Sequence, residues 1–238
     1  MIRLRPAGQR GYFDHGWLDT HHSFSFASYF DPEHMGFRAL RVINEDRIAA
    51  GRGFGTHGHQ DMEILTYVLS GTLTHRDSMG HEQSMGPNEL QRMSAGTGVM
   101  HSEFNGSSSE ELHLLQIWLL PDRSSHSPGY EQFAFDPAEK RNRWRLLAAP
   151  WETPQSEQQI ARIHQDARLS VVELEPGHEL VTTLDPARHA WLQVARGAIA
   201  LNGLELEAGD GAALSDESSF TLRNAGREAA ELLFFDLA

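Results

Sequence analysis

The sequence predicts an all-β chain built as two barrels or sandwiches in tandem. Three observations carry this. Short apolar runs rich in strand-favouring residues recur along the chain, and Gly, Pro, Asp and Asn punctuate them. A polar stretch over residues 121–154 divides two β-rich halves. The second half also repeats the plan of the first: turn, strand, turn, strand over 197–209, closed by Gly209-Asp210-Gly211, echoes 71–85 and its closing Gly86-Pro87-Asn88.

The elements follow in order. Residues 63–69 form an apolar run that stops at Ser70-Gly71, and 72–75 resume it after the turn. Residues 112–120 form the last long run of the first half. The dividing stretch holds Ser124-Ser125-His126-Ser127-Pro128-Gly129 and the charged Lys140-Arg141-Asn142-Arg143, which places two domains at 1–136 and 137–238. Runs at 169–174, 191–194, 198–201 and 230–236 supply strands of the second half. The best helix candidate is 154–167, on scattered apolar positions. The 238 residues suit two domains of roughly 100 each.

Composition removes several function classes. The chain has no cysteine, which excludes disulfides, thiolate zinc sites and cysteine nucleophiles. Twenty basic against 33 acidic side chains give a net charge of −13, with no basic run, so a phosphate backbone would be repelled and direct nucleic-acid binding is not expected. No run approaches the roughly 18 apolar residues of a membrane span. Met1-Ile2-Arg3-Leu4-Arg5-Pro6 lacks the apolar core of a signal peptide. The expectation is a soluble, cytoplasmic monomer without membrane partners.

Placement gives the 14 histidines their meaning. In Gly51-Arg52-Gly53-Phe54-Gly55-Thr56-His57-Gly58-His59, residues at i and i+2 of an extended strand project to one face, so His57 and His59 offer two imidazoles to one point. The preceding glycines allow the backbone to bend inward. In Gly96-Thr97-Gly98-Val99-Met100-His101-Ser102-Glu103-Phe104-Asn105 the same spacing pairs His101 with Glu103. A lone His-x-His is weak evidence; two such pairs, each introduced by a glycine turn, point to a metal. Three imidazoles and one carboxylate leave octahedral positions open to water, dioxygen or substrate, and suit several divalent transition ions. Asp61 and Glu63 share parity with His57 and His59, which makes Glu63 a rival ligand. His75, His81, Glu82 and His113 read as surface, turn or supporting groups, and Phe54, Met93, Met100 and Phe104 as candidates to line a pocket.

These segments resemble the two cupin motifs: Gly51, five residues, His57-x-His59, three residues and Glu63; then Gly98, two residues, His101, three residues and Asn105. The wider sequence is similar to the pirin family, and within it to the bacterial pirin-like quercetin dioxygenases. His22-Ser23-Phe24-Ser25-Phe26-Ala27-Ser28-Tyr29-Phe30-Asp31-Pro32, Leu40-Arg41-Val42-Ile43-Asn44-Glu45-Asp46 and Asp61-Met62-Glu63-Ile64-Leu65-Thr66-Tyr67-Val68 carry the likeness. So do Thr74-His75-Arg76-Asp77-Ser78-Met79-Gly80, Gln91-Arg92-Met93-Ser94-Ala95-Gly96-Thr97-Gly98 and His113-Leu114-Leu115-Gln116-Ile117-Trp118. Gly58 and Gln60 depart from the commoner proline and arginine.

The resemblance implies a bicupin, two tandem jelly-roll β-barrels, with the metal in the N-terminal barrel. It implies His57, His59, His101 and Glu103 as ligands, which moves Glu63 to a supporting role. The C-terminal half has His189-Ala190-Trp191 where a first motif places its pair, and no histidine around 218–220, so that barrel is expected to be metal-free. The implied cofactor is one divalent ion, iron(II) foremost, with zinc, manganese, nickel, copper and cobalt as alternatives. The implied activity is dioxygenation of a flavonol such as quercetin by O2, with cleavage at the 2,3 bond and release of CO; Glu103 would accept the 3-hydroxyl proton. The alternative is a metal-dependent, redox-sensing protein-interaction or transcriptional co-regulator protein without turnover, and a third reading is a structural bicupin.

Overall fold

The structure is a computed structural model that describes residues 1–154 and 158–238. Among the described residues the helices are two short 3₁₀ turns, Ala7–Gln9 and Pro137–Lys140, and strands make up the rest of the regular structure. The first strands are β1 (Ile2–Arg5), β2 (Gly11–Asp14), β3 (Leu18–His22), β4 (Leu40–Ile48), β5 (Gly53–His59) and β6 (Glu63–Ser70). Then come β7 (Leu73–Asp77), β8 (Glu82–Met85), β9 (Glu89–Ser94), β10 (Val99–Asn105), β11 (Leu112–Leu119) and β12 (Gly129–Ala134). The later strands are β13 (Arg145–Pro150), β14 (Ala161–Ile163), β15 (Ala167–Leu174), β16 (Glu179–Thr183) and β17 (His189–Arg196). They end with β18 (Ala198–Leu201), β19 (Leu204–Glu207), β20 (Gly211–Leu214), β21 (Ser219–Arg223) and β22 (Ala230–Leu237).

The chain forms two compact units. One holds Gly11–Phe135 and Trp151–Gln165; the other holds Met1–Arg10, Asp136–Pro150 and Asp166–Ala238. One crossing falls between Phe135 and Asp136, one residue before the boundary expected at 136/137. The others had no local signal, because distant backbone pairing creates them: β1 adds to β20 with Ile2 opposite Leu214. The described part of the segment 154–167, read as helical, is not a helix. Residues 155–157 lie outside the described residues, and the remainder contains β14, whose Arg162 N–H donates to Glu131 Oε2 at 2.9 Å.

Each unit consists of two antiparallel sheets. In the first, one sheet runs β12-β9-β6-β11-β4-β3-β2 and the other β5-β10-β7-β8. In the second the corresponding orders include β1-β20-β17-β22-β15-β13 and β16-β21-β18-β19. Both are cupin barrels of the jelly-roll kind. What fills the two interiors differs. In the second unit Val172, Leu192, Val194, Leu201, Phe220 and Phe234 join a continuous apolar cluster drawn from both sheets. In the first, an apolar cluster with Leu18, Ile48, Leu73 and Leu112 occupies part of the interior. Asn44, Asp46, His75, His101, Glu103 and Gln116 are buried polar groups of the same barrel. Buried polar groups cost stability unless partnered, so this concentration marks a site. No helix among the described residues is long and apolar enough to cross a membrane.

Candidate metal centre

Strand pairing builds the site. β10 lies between β5 and β7, with His101 opposite His57 on one side and Asp77 on the other, and Glu103 opposite His75. Directly opposed residues share a face, so one row of imidazoles crosses three strands. A bulge between His101 and Glu103 shifts the pairing so that Glu103 lies opposite Phe54 instead of Gly55. Phe54, three residues from His57, thereby faces the same cavity. Gly53 permits this close approach: a Cβ there would stand 2.2 Å from the Glu103 carbonyl oxygen and 2.5 Å from Phe104 Cα.

One ligating nitrogen from each of His57, His59 and His101 lies within 4.8 Å of the others. The ring centroids are 4.4 to 4.8 Å apart, and His57 Nε2 approaches His101 Nε2 to 3.0 Å. His57 Nδ1 is 2.8 Å from the Gly55 carbonyl oxygen, to which it must donate, leaving Nε2 as a lone pair aimed at the cluster. Burial, followed by the nearness of His57, pushes His59 down to about 4; the same causes, with His59 and His75 added, push His101 down to about 3. Converging imidazoles, with His59 and His101 kept neutral by burial, are the donor set that a divalent transition ion takes.

Glu103 is on the same strand face, only 4% exposed. Gln116 Nε2 donates to both its oxygens at 2.8 and 2.9 Å. Its carboxylate falls within 4.8 Å of ligating atoms of His75 and His101, a second grouping that shares His101 with the first. Burial pushes Glu103 up to about 7, with Gln116 opposing and Asp46 adding to the effect. Glu63 stands elsewhere. Its oxygens accept from Ser94 Oγ at 2.8 Å and face His164 Nδ1 at 3.0 Å. The parity argument that made it a rival fails at Asp61, where φ of +49° ends β5 and the chain turns into the other sheet.

A cavity of about 440 Å³ opens onto the cluster. Trp17, Phe26, Phe54 and Trp118 wall it, and Asn44, Asp46, Glu103 and Gln116 supply its polar lining. Of the four apolar candidates, Phe54 alone lines it. Met93 packs with Ile64 and Val99, while Met100 and Phe104 are 48% and 41% exposed. Both alternate with His101 and Glu103 along β10 and so point outward. Asn44, Asp46 and Gln116 were missed as site residues; polar groups at alternate positions of the apolar strands β4 and β11 were their signal. Asn44 Oδ1 is buried without a hydrogen-bond partner among the described residues. Thr20 Oγ1 donates to Asp46 at 2.5 Å, and burial pushes that carboxyl up to about 7. His75, read as surface, turn or support, is fully buried, while His113 pairs with Glu45 at 2.9 Å. In the C-terminal barrel, His189 Nδ1 meets Ser215 Oγ at 2.8 Å.

The chain matches the family model described as Pirin over residues 3–119, and the one described as Quercetinase C-terminal cupin domain over 152–237. It is 46% identical over 237 residues to the quercetin 2,3-dioxygenase of Escherichia coli K12, spanning 100% of this chain and 99% of that protein. The chain belongs to the pirin family. Another relative of this pirin is the pirin-like protein of Caulobacter vibrioides, 37% identical over 238 residues and covered in full by both chains. The pirin also superposes on the crystal structure of YhhW from E. coli with a TM-score of 0.93 at 45% identity, covering 100% of this chain and 98% of that one. A nickel(II) complex of the bacterial pirin YhhW matches with a TM-score of 0.91 over 100% and 99% of the two chains.

Proposed function

We propose that this pirin is a metal-dependent dioxygenase that cleaves a flavonol such as quercetin with O2 at the 2,3 bond and releases CO. The observation that carries this reading is the aromatic-walled cavity of about 440 Å³ that ends on three converging imidazoles. His57, His59, His101 and Glu103 are the ligands in this reading, and iron(II) is our assignment for the native ion. The bound ion supplies Lewis acidity toward the substrate oxygen and a meeting point for dioxygen.

The chain's own residues do the rest. Trp17, Phe26, Phe54 and Trp118 offer flat apolar surfaces that suit a planar polyphenol and exclude water. The unpartnered Asn44 Oδ1 calls for a donor, which a ring hydroxyl provides. Glu103, at the cavity wall, accepts the 3-hydroxyl proton as the flavonol enters, and Gln116 holds its carboxylate in place. The packed apolar interior of the C-terminal barrel leaves that domain without metal in this reading.

The test is direct. Protein loaded separately with each of the six divalent ions is mixed with quercetin in air, and the flavonol absorbance is followed. Loss that requires both metal and oxygen supports the reading. A protein that binds metal yet consumes no flavonol with any ion overturns it, and favours the interaction role.

A further inference from the structure

Behind His101, away from the cavity, a chain of buried groups continues toward the surface. His101 Nδ1 is 3.5 Å from His75 Nδ1, His75 Nε2 is 3.2 Å from Asp77 Oδ2, and Asp77 Oδ2 is 2.9 Å from His81 Nδ1. The His75 and Asp77 side chains are 1% and 0% exposed. Asp77 Oδ1 accepts the backbone N–H of Met79 at 2.8 Å and of His81 at 3.1 Å, which pins the carboxylate. The Tyr130 ring stacks on His75 at 4.9 Å and on His81 at 4.7 Å, fixing both imidazole planes.

The hydrogen positions along this row can be deduced from both ends. At the outer end, an ionised Asp77 only accepts, so His75 must carry its proton on Nε2, and its Nδ1 is a lone pair facing His101 Nδ1. That contact is satisfied only if His101 carries its proton on Nδ1. At the inner end, His57 donates from Nδ1 to Gly55, so its Nε2 lone pair faces His101 Nε2 at 3.0 Å. With Nδ1 protonated, His101 Nε2 is a lone pair too. Two lone pairs opposed at that distance repel unless a cation lies between them; in the metal-free chain a proton on His101 Nε2 would turn this contact into an N–H···N bond, so the Nδ1 tautomer is the one that metal binding requires.

We propose that His75 and Asp77 are positioning residues, locking His101 in the orientation and tautomer that present Nε2 to the metal. This rests on His101 being a ligand, as proposed above. It also assigns the grouping of His75, His101 and Glu103: His75 is the anchor of a ligand and not a ligand itself. The ring nitrogen opposite a metal almost always donates to a carboxylate, carbonyl or water, whose loss lowers metal affinity about 10- to 100-fold, and here the His75 imidazole held by Asp77 takes that place.

Nickel(II) affinity, measured against a competing chelator, tests this in the full chain, alongside the unfolding midpoint of the metal-free protein. His75→Phe, which removes the acceptor, should weaken nickel binding about 10- to 100-fold. His75→Gln, whose amide oxygen can accept from His101 Nδ1, should recover most of that loss. Asp77→Asn, which keeps the fold if His75→Phe does not, should weaken nickel binding in the same direction. In the cobalt(II)-loaded protein, the exchangeable, paramagnetically shifted proton of the His101 ring should persist in His75→Gln and broaden away in His75→Phe. Wild-type affinity in His75→Phe and Asp77→Asn, with only a lowered unfolding midpoint, would reduce the row to a structural role and overturn the proposal. Loss in His75→Gln equal to that in His75→Phe, with one imidazole fewer by X-ray absorption, would make His75 a ligand and also overturn it. Failure of wild-type protein to bind nickel would instead defeat the ligand assignment itself.

Discussion

Asp46 is a buried acid facing the cavity with no cation beside it among the described residues, and Thr20 alone donates to its side chain. Burial raises its folded pKa to about 7, against an ordinary value of 3.8. Between these values the folded chain keeps a proton that the unfolded chain has released. Stability is therefore lost as pH rises through this window, and the loss is complete above about 7. Asp46→Asn keeps the acceptor for Thr20 and removes the ionisation. In metal-free protein its unfolding midpoint should exceed that of the wild type at pH 8, and the gain should shrink steadily toward pH 5. A gain independent of pH would refute the buried-acid account. The convergence of His57, His59 and His101 was legible in part because the i, i+2 rule that pairs His57 with His59 is local. Asp46 and Asn44 were not singled out, since only the pairing of β4 with β11 brings them to the cavity.

At the scale of elements, the site depends on how closely β5 approaches β10. Gly53 and the bulge opposite Glu103 set that distance. Gly53→Ala inserts a methyl group 2.2 Å from a backbone oxygen, a contact relieved only by moving a strand. Overpacking of this kind costs about 1–3 kcal/mol, and here it displaces Phe54 and the bulge with it. The expected result is a lower unfolding midpoint together with at least tenfold weaker nickel binding, the latter on the order of losses from disturbed ligand support. Unchanged binding would show that the site tolerates strand separation. Strand parity explains both what the sequence revealed here and where reading it misled. It holds within β5 and within β10, so the pairs His57/His59 and His101/Glu103 stood out. It breaks at Asp61, so Glu63 only seemed to belong. Nearness in sequence made Met100 and Phe104 look like pocket residues, although alternation turns them outward. His75 reaches His101 through the β7–β10 ladder, a non-local pairing with no motif of its own.

Over the whole molecule, the two barrels use one architecture for opposite interiors. One is filled by Leu, Val and Phe; the other gives up packing for a cavity and a row of histidines. The all-β class and the repeated plan were legible in turn chemistry and apolar runs. The extra crossings were not, since β1 joins its sheet across nearly the full length of the chain. The central claim is that this pirin holds a single divalent ion, in the N-terminal barrel, between His57, His59, His101 and Glu103. Anomalous diffraction from crystals of the nickel-loaded protein tests it most directly. The account predicts one peak per chain, bounded by Nε2 of His57 and His101, a ring nitrogen of His59 and the Glu103 carboxylate. A peak between His75 and Glu103 that excludes His57, a second peak in the C-terminal barrel, or no peak at all would contradict it.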